Sequence, residues 1–147
     1  DERVATALRL TGIEDLAERD PCRLSGGQQQ LVVLAGLLAM RPRHLVLDEP
    51  VAHLDAASAH LVLGAIRAAA DAGTAVLLAE QRTAELATVA DSVVVMGAGN
   101  IIARGTPGEV LSDPGNHALG IAEPPELSLR RKLAEAGLDP DLAEARP

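Results

Sequence analysis

The sequence predicts an α/β fold with parallel strand neighbours, and three observations carry that expectation. His44-Leu45-Val46-Leu47-Asp48 and Thr74-Ala75-Val76-Leu77-Leu78-Ala79 are short apolar runs, the pattern of buried parallel strands. A segment with helical apolar spacing, Ala56 to Asp71, lies between them and closes at Gly73. The resulting order of strand, helix, strand, helix, strand is the layout of a parallel sheet.

The elements follow in order. From Arg3 to Arg19 the apolar residues Val4, Ala7, Leu8, Ile13, Leu16 and Ala17 fall at helical spacings broken near Thr11-Gly12, which predicts two short helices. Asp20-Pro21 ends the second, because the residue before a proline is pushed out of the helical region. Ser25 stands at an N-cap position before one long apolar helix, Gly26 to Met40, stopped by Arg41-Pro42-Arg43. After the two strands and their helix, Thr83 to Ala90 is again helical. Ser92 to Met96 and Asn100 to Ala103 flank Gly97-Ala98-Gly99 as a hairpin. Thr106 caps a short helix through Leu111, with Pro107 in its first turn. Beyond Asp113-Pro114-Gly115 the pattern thins into a tail with a weak helix at Leu127 to Ala136. The organisation expected is 1–43, a helical segment; 44–112, an α/β part; and 113–147, a partly helical tail.

Composition excludes several function classes. The 147 residues are the size of one ordinary domain. The longest apolar run, Leu31 to Met40, is half the ~20 residues of a membrane helix. Asp1, Glu2 and Arg3 lead directly into a helical pattern, so no signal peptide is expected. The single cysteine, Cys22, cannot form an intrachain disulfide, which fits a reducing compartment, and is read as a small loop residue. A net charge of −8 argues against a general nucleic-acid surface, and the absence of Phe, Tyr and Trp removes aromatic stacking on bases. His44, His53, His60 and His117 lack ligand-like spacing and are read as surface or packing residues. Arg130-Arg131-Lys132 is read as a solvated helix face.

Lys132 is the only lysine, and it lies between Arg131 and Leu133. A Gly-x-x-x-x-Gly-Lys-Ser/Thr phosphate loop needs glycine before that lysine and a hydroxyl after it, so the sequence contains no such loop.

Two constellations nevertheless point to phosphate chemistry. Leu24-Ser25-Gly26-Gly27-Gln28 opens the long helix, whose free N–H groups and dipole favour an anion, with glycines permitting close approach. An ordinary N-cap followed by two permissive residues accounts for the same string. Leu45-Val46-Leu47-Asp48-Glu49-Pro50 places two carboxylates at the carboxyl end of a strand, where open α/β sheets bind ligands. Asp48 suits Mg²⁺ held through water, and Glu49 suits a base that orients water for attack on a phosphoryl group. A solvated strand end turned by proline is the competing explanation.

Taken together, the two blocks resemble the ATP-binding domain of ABC transporters. Leu24 to Gln28 matches the family signature, Leu45 to Glu49 its Walker B strand, and Val51-Ala52-His53-Leu54-Asp55 its D-loop. Gly105-Thr106-Pro107-Gly108-Glu109-Val110-Leu111 is similar to the turn and helix after the family's last hairpin. The resemblance covers Arg3 to Leu111. It implies an incomplete P-loop NTPase-type fold: the signature helical segment and the carboxyl-terminal part of the parallel sheet, without the phosphate-loop strand.

The resemblance also implies roles. Two domains face head to tail, and Ser25, Gly26, Gly27 and Gln28, with Asp55, contact ATP held by the partner domain. Asp48, through Mg²⁺, and Glu49 serve a nucleotide held by a phosphate loop on a missing amino-terminal half. The chain alone is therefore expected to be inactive, poorly soluble or loosely packed. Either it is a truncated product, or a second polypeptide supplies the rest. Transmembrane transporter subunits are the implied partners, holding it in the cytoplasm on the inner face of the membrane.

The sequence departs from the family pattern at two positions. Gln81, in Glu80-Gln81-Arg82, occupies the switch position where the family usually has a His that contacts the γ-phosphate. Gln can hydrogen-bond a phosphate oxygen but cannot become cationic or relay a proton. The Glu-x-Arg form resembles the ATPases of energy-coupling-factor uptake systems, and Val51 to Asp55 leans the same way. Leu31 stands where many members carry Arg, and is expected to alter a local surface contact. The leading reading is an ATPase segment that drives transport. The alternative is a degenerate accessory piece that completes a partner's ATP site. A chromosome-maintenance or repair ATPase lobe ranks lowest, since Asp1 to Asp20 shows no sustained heptads.

Overall fold

Pro21, Gly12 and Gly73 punctuate the first half of the chain, and the structure, a computed structural model, follows that punctuation. It describes residues 1–140; the end of the expected tail, 141–147, lies outside the described residues. The chain divides into two units, Asp1–Gln81 and one that begins at Arg82.

In the first unit, α1 (Glu2–Thr11) is capped by the Asp1 carboxylate and closed by Gly12, whose φ of 66° lies in the left-handed region that glycine adopts freely. The second helix expected before Pro21 is reduced to a single 3₁₀ turn, Glu14–Leu16. A further 3₁₀ turn, Pro21–Arg23, precedes α2 (Gly26–Ala39). Leu31, Leu34, Ala35 and Leu38 fall at i, i+3, i+4 and i+7 and form the buried stripe of α2. Leu31 is only 4% exposed, which corrects the surface role expected of it: it is a core residue, and each such buried leucine contributes roughly 1.5–3 kcal/mol.

β1 (His44–Asp48) and β2 (Ala75–Ala79) pair in parallel, Leu45 beside Val76 and Val46 beside Leu77, with α3 (Ala56–Asp71) crossing between them. The expectation of fully buried strands does not hold. Leu45 is buried, but Val46 is 71% and Leu77 66% exposed. Neighbours in a parallel pair share a face, and the sheet has two strands among the described residues, so the Val46–Leu77 face stays uncovered.

In the second unit, α4 (Thr83–Val89) precedes β3 (Val93–Gly97) and β4 (Asn100–Gly105). These strands form an antiparallel hairpin whose turn residues, Ala98 and Gly99, both have positive φ, the geometry that matches the twist of a two-residue loop. Val93 and Val95 pack with Val110 and Leu111 of α5 (Pro107–Leu111), and Ile121 and Leu127 close over them. The described part of the tail, 113–140, holds more regular structure than its composition promised. α6 (Pro114–His117) is tied to the end of α5 by the buried Asn116 amide, which donates to the Val110 carbonyl at 2.9 Å, and by His117 Nε2, 2.9 Å from the Leu111 carbonyl. In α7 (Pro125–Glu135) Arg131 is no mere solvated charge: its guanidinium pairs with Glu123 at 3.0 Å and Glu135 at 2.9 Å.

Candidate functional site

Ser25 begins α2 with a reciprocal cap. Its hydroxyl accepts from the Gln28 N–H at 3.3 Å, while its own N–H donates to Gln28 Oε1 at 3.0 Å. The cap occupies the N–H groups of Ser25 and Gln28. The Gly26 and Gly27 N–H groups and the Ser25 hydroxyl hydrogen remain as donors at the positive end of the helix. That arrangement suits a phosphate oxygen approaching the loop. Gln28 acts on it indirectly, by fixing Ser25.

The second cluster forms where β1 and β2 end together. The ladder continues past the strand through the Glu49 N–H, which donates to the Ala79 carbonyl at 2.9 Å. Glu49 then turns the chain with a φ of 44°, a left-handed conformation that costs a residue with a β-carbon about 1–2 kcal/mol. Its carboxylate accepts a hydrogen bond from the side-chain amide of Gln81, just beyond β2. Asp48, paired with Ala79, is exposed, and its carboxylate has no protein partner among the described residues. No group of three His, Cys, Asp or Glu residues able to hold a metal occurs among the described residues. One free carboxylate still fits Mg²⁺, which takes most of its oxygens from water and substrate phosphates.

The third cluster is Asp55 at the start of α3. Its carboxylate accepts from the Ser58 N–H at 2.9 Å and the Ser58 hydroxyl at 3.0 Å. The Ser58 N–H, above all, holds the Asp55 carboxyl below its usual range. His53, just before it, has a φ of 63°, so the segment from Glu49 to Asp55 turns left-handed twice. The structure thus brings Glu49 to Gln81, and the glycines of the α2 loop to the Leu54–Ser58 segment. Ser58 was not apparent from the sequence. The one signal was an Asp-x-x-Ser spacing at a helix start.

The model of the ABC transporter family matches residues 1–52. The chain is 38% identical over 140 residues to the energy-coupling factor transporter ATP-binding protein EcfA2 of Caldanaerobacter subterraneus subsp. tengcongensis, covering 93% of this chain and 49% of the relative. It is 41% identical over 143 residues to EcfA of Methanoculleus marisnigri, covering 96% and 52%. Among solved structures, cbiO1 of Clostridium perfringens, described as part of the ABC transporter complex cbiONQ, superposes with a TM-score of 0.73 at 29% identity, covering 98% of this chain and 53% of that one. The ADP conformation of MJ1267, an ATP-binding cassette of an ABC transporter, gives a TM-score of 0.71 at 31% identity, covering 83% and 50%. The chain spans about half the length of the curated relatives it matches. Over nearly its whole length, the chain is therefore similar in sequence and in fold to one half of the ATP-binding proteins of ABC transporters.

Proposed function

We propose that this chain contributes the signature and Walker B portion of an ATPase that couples ATP binding and hydrolysis to transport across a membrane. The observation that carries the reading is the meeting of Glu49 and Gln81 at the ends of two parallel strands. A carboxylate held there by a neutral amide is placed to orient water and take its proton during attack on a γ-phosphoryl group. Asp48 would hold Mg²⁺ through water, and the ion would neutralise charge developing on the phosphates. Ser25, Gly26 and Gly27 would donate to the γ-phosphate of ATP bound to a second, head-to-tail domain, with Gln28 steadying the cap and Asp55 facing the same interface. The phosphate loop that this sequence lacks would come from another segment.

Similarity to EcfA proteins and to cbiO1 supports an energy-coupling-factor assignment, with transmembrane subunits as partners at the inner face of the membrane. No helix among the described residues is long and apolar enough to cross a membrane.

Hydrolysis by the full chain, alone and mixed with a segment carrying a Gly-x-x-x-x-Gly-Lys-Ser/Thr loop, tests the reading. Activity should appear only in the mixture and fall about 100-fold or more in Glu49→Gln. Turnover by the chain alone would refute the division of labour. Gln81 at the switch position favours a second reading, a non-hydrolysing accessory. That reading wins if the mixture stays inactive while ATP still promotes association through Ser25 to Gly27.

A further inference from the structure

The two signature glycines are not equivalent. A β-carbon built on Gly26 would lie 4.0 Å from Leu54 Cδ2, an ordinary contact. One built on the buried Gly27 would lie 2.5 Å from Ser58 Oγ and 2.6 Å from Ser58 Cβ, a clash at the root of a short side chain. Gly27 is therefore required by packing against α3, whatever binds at the loop. Ser58 is itself fixed on its other side, since both its N–H and its hydroxyl donate to the Asp55 carboxylate. The positive ends of α2 and α3 converge at this point, and Asp55 supplies the negative charge that makes the approach favourable.

We propose that Ser58 is a positioning residue that joins the D-loop to the signature loop: Asp55 sets the Ser58 side chain, and Ser58 sets the approach of Gly27. Whatever draws the Asp55 carboxylate outward releases the Ser58 hydroxyl and loosens the first turn of α2. The bearing of this link on nucleotide contact rests on the function proposed above; the mechanical link does not.

The test uses the full chain without nucleotide, with amide hydrogen exchange and backbone NMR signals at Gly27 to Gln29 as readouts. Gly26→Ala should leave exchange at Gln28 and Gln29 within about 2-fold, whereas Gly27→Ala should speed it about 10-fold or more. Adding Ser58→Gly to Gly27→Ala should restore slow exchange, because the space is returned. Asp55→Asn should shift the Gly27 and Gln28 signals, and that shift should vanish in a Ser58→Ala background, the non-additivity expected of a relay. If Gly27→Ala fails to fold, folding of the Gly27→Ala/Ser58→Gly double variant supports the link and its failure overturns it. Equal effects of the two glycine substitutions, or an Asp55→Asn shift indifferent to Ser58→Ala, also overturn it. Since no readout involves ATP, such a failure leaves the ATPase reading standing. Loss of complemented hydrolysis with the relay intact would sink that reading alone.

Discussion

The side-chain amide of Gln81 donates a hydrogen bond to the carboxylate of Glu49, 32 residues earlier in the chain. The parallel register makes this possible, because Asp48 lies beside Ala79 and both strands release their chains on the same side. Imidazole at position 81 would titrate near neutral pH, and the amide does not. In the complemented assay, Gln81→His should add an ionisation near pH 6.5 to the rate profile that the natural chain lacks, a difference read from rates between pH 5 and 9.

Glu49 holds its carboxylate in place from a left-handed backbone. Glu49→Gly should relieve that conformation and stabilise the first unit by up to about 1 kcal/mol, offset in part by the flexibility of glycine. Urea unfolding of the natural chain and the variant measures the difference. A lower midpoint in Glu49→Gly would mean that the bond to Gln81 outweighs the backbone cost.

Leu31 lies in the core stripe of α2. Leu31→Ala should cost about 2–5 kcal/mol, and Leu31→Arg should abolish a cooperative transition by burying an unpaired charge. Circular dichroism melts of both variants check this. An arginine tolerated there would mean that the stripe is open to solvent.

Glu123 is pulled from 4.5 to about 2, chiefly by its hydrogen bond from Arg131. A carboxyl whose folded pKa is depressed stabilises the fold above its unfolded value and loses that contribution as pH falls through the folded one. The advantage of the natural chain over Glu123→Gln should therefore be complete above pH 4.5 and gone near pH 2. Exchange protection in α7, followed across that range, reads it directly. A difference independent of pH would remove the ion pair as its cause.

Asn116→Ala should destabilise the second unit by about 1–3 kcal/mol, because it strands the buried Val110 carbonyl at the end of α5. Urea unfolding followed by signals of β3 and β4 is the appropriate measurement.

Much of this was legible in the sequence where the cause is local. Ser25 and Thr106 cap their helices from within a few residues, so spacing located α2 and α5, and apolar spacing closed by Gly73 located α3. Leu31 was legible too, since its spacing to Leu34, Ala35 and Leu38 marks a buried stripe, and comparison with a family habit hid it. Val46 and Leu77 were not, because an apolar run reports a strand but not which of its faces finds a cover. Nor were the meetings of Glu49 with Gln81 and Gly27 with Ser58 visible, as each depends on how separate elements dock. Arg131 read as a free charge because Glu123 belongs to the turn before its helix.

Thr106 and Glu109 form the same reciprocal cap as Ser25 and Gln28, with a carboxylate in place of an amide. The hydrogen bonds that Glu109 accepts, first from the Thr106 N–H and then from its hydroxyl, hold its carboxyl below 4.5, so that clasp is intact above that pH and slackens in stronger acid. The clasp on the signature helix carries no proton to gain. Acid therefore loosens the clasp on α5 through its own carboxyl, whereas the clasp between Ser25 and Gln28 has no group of its own to protonate and answers to pH only through Asp55 and Ser58.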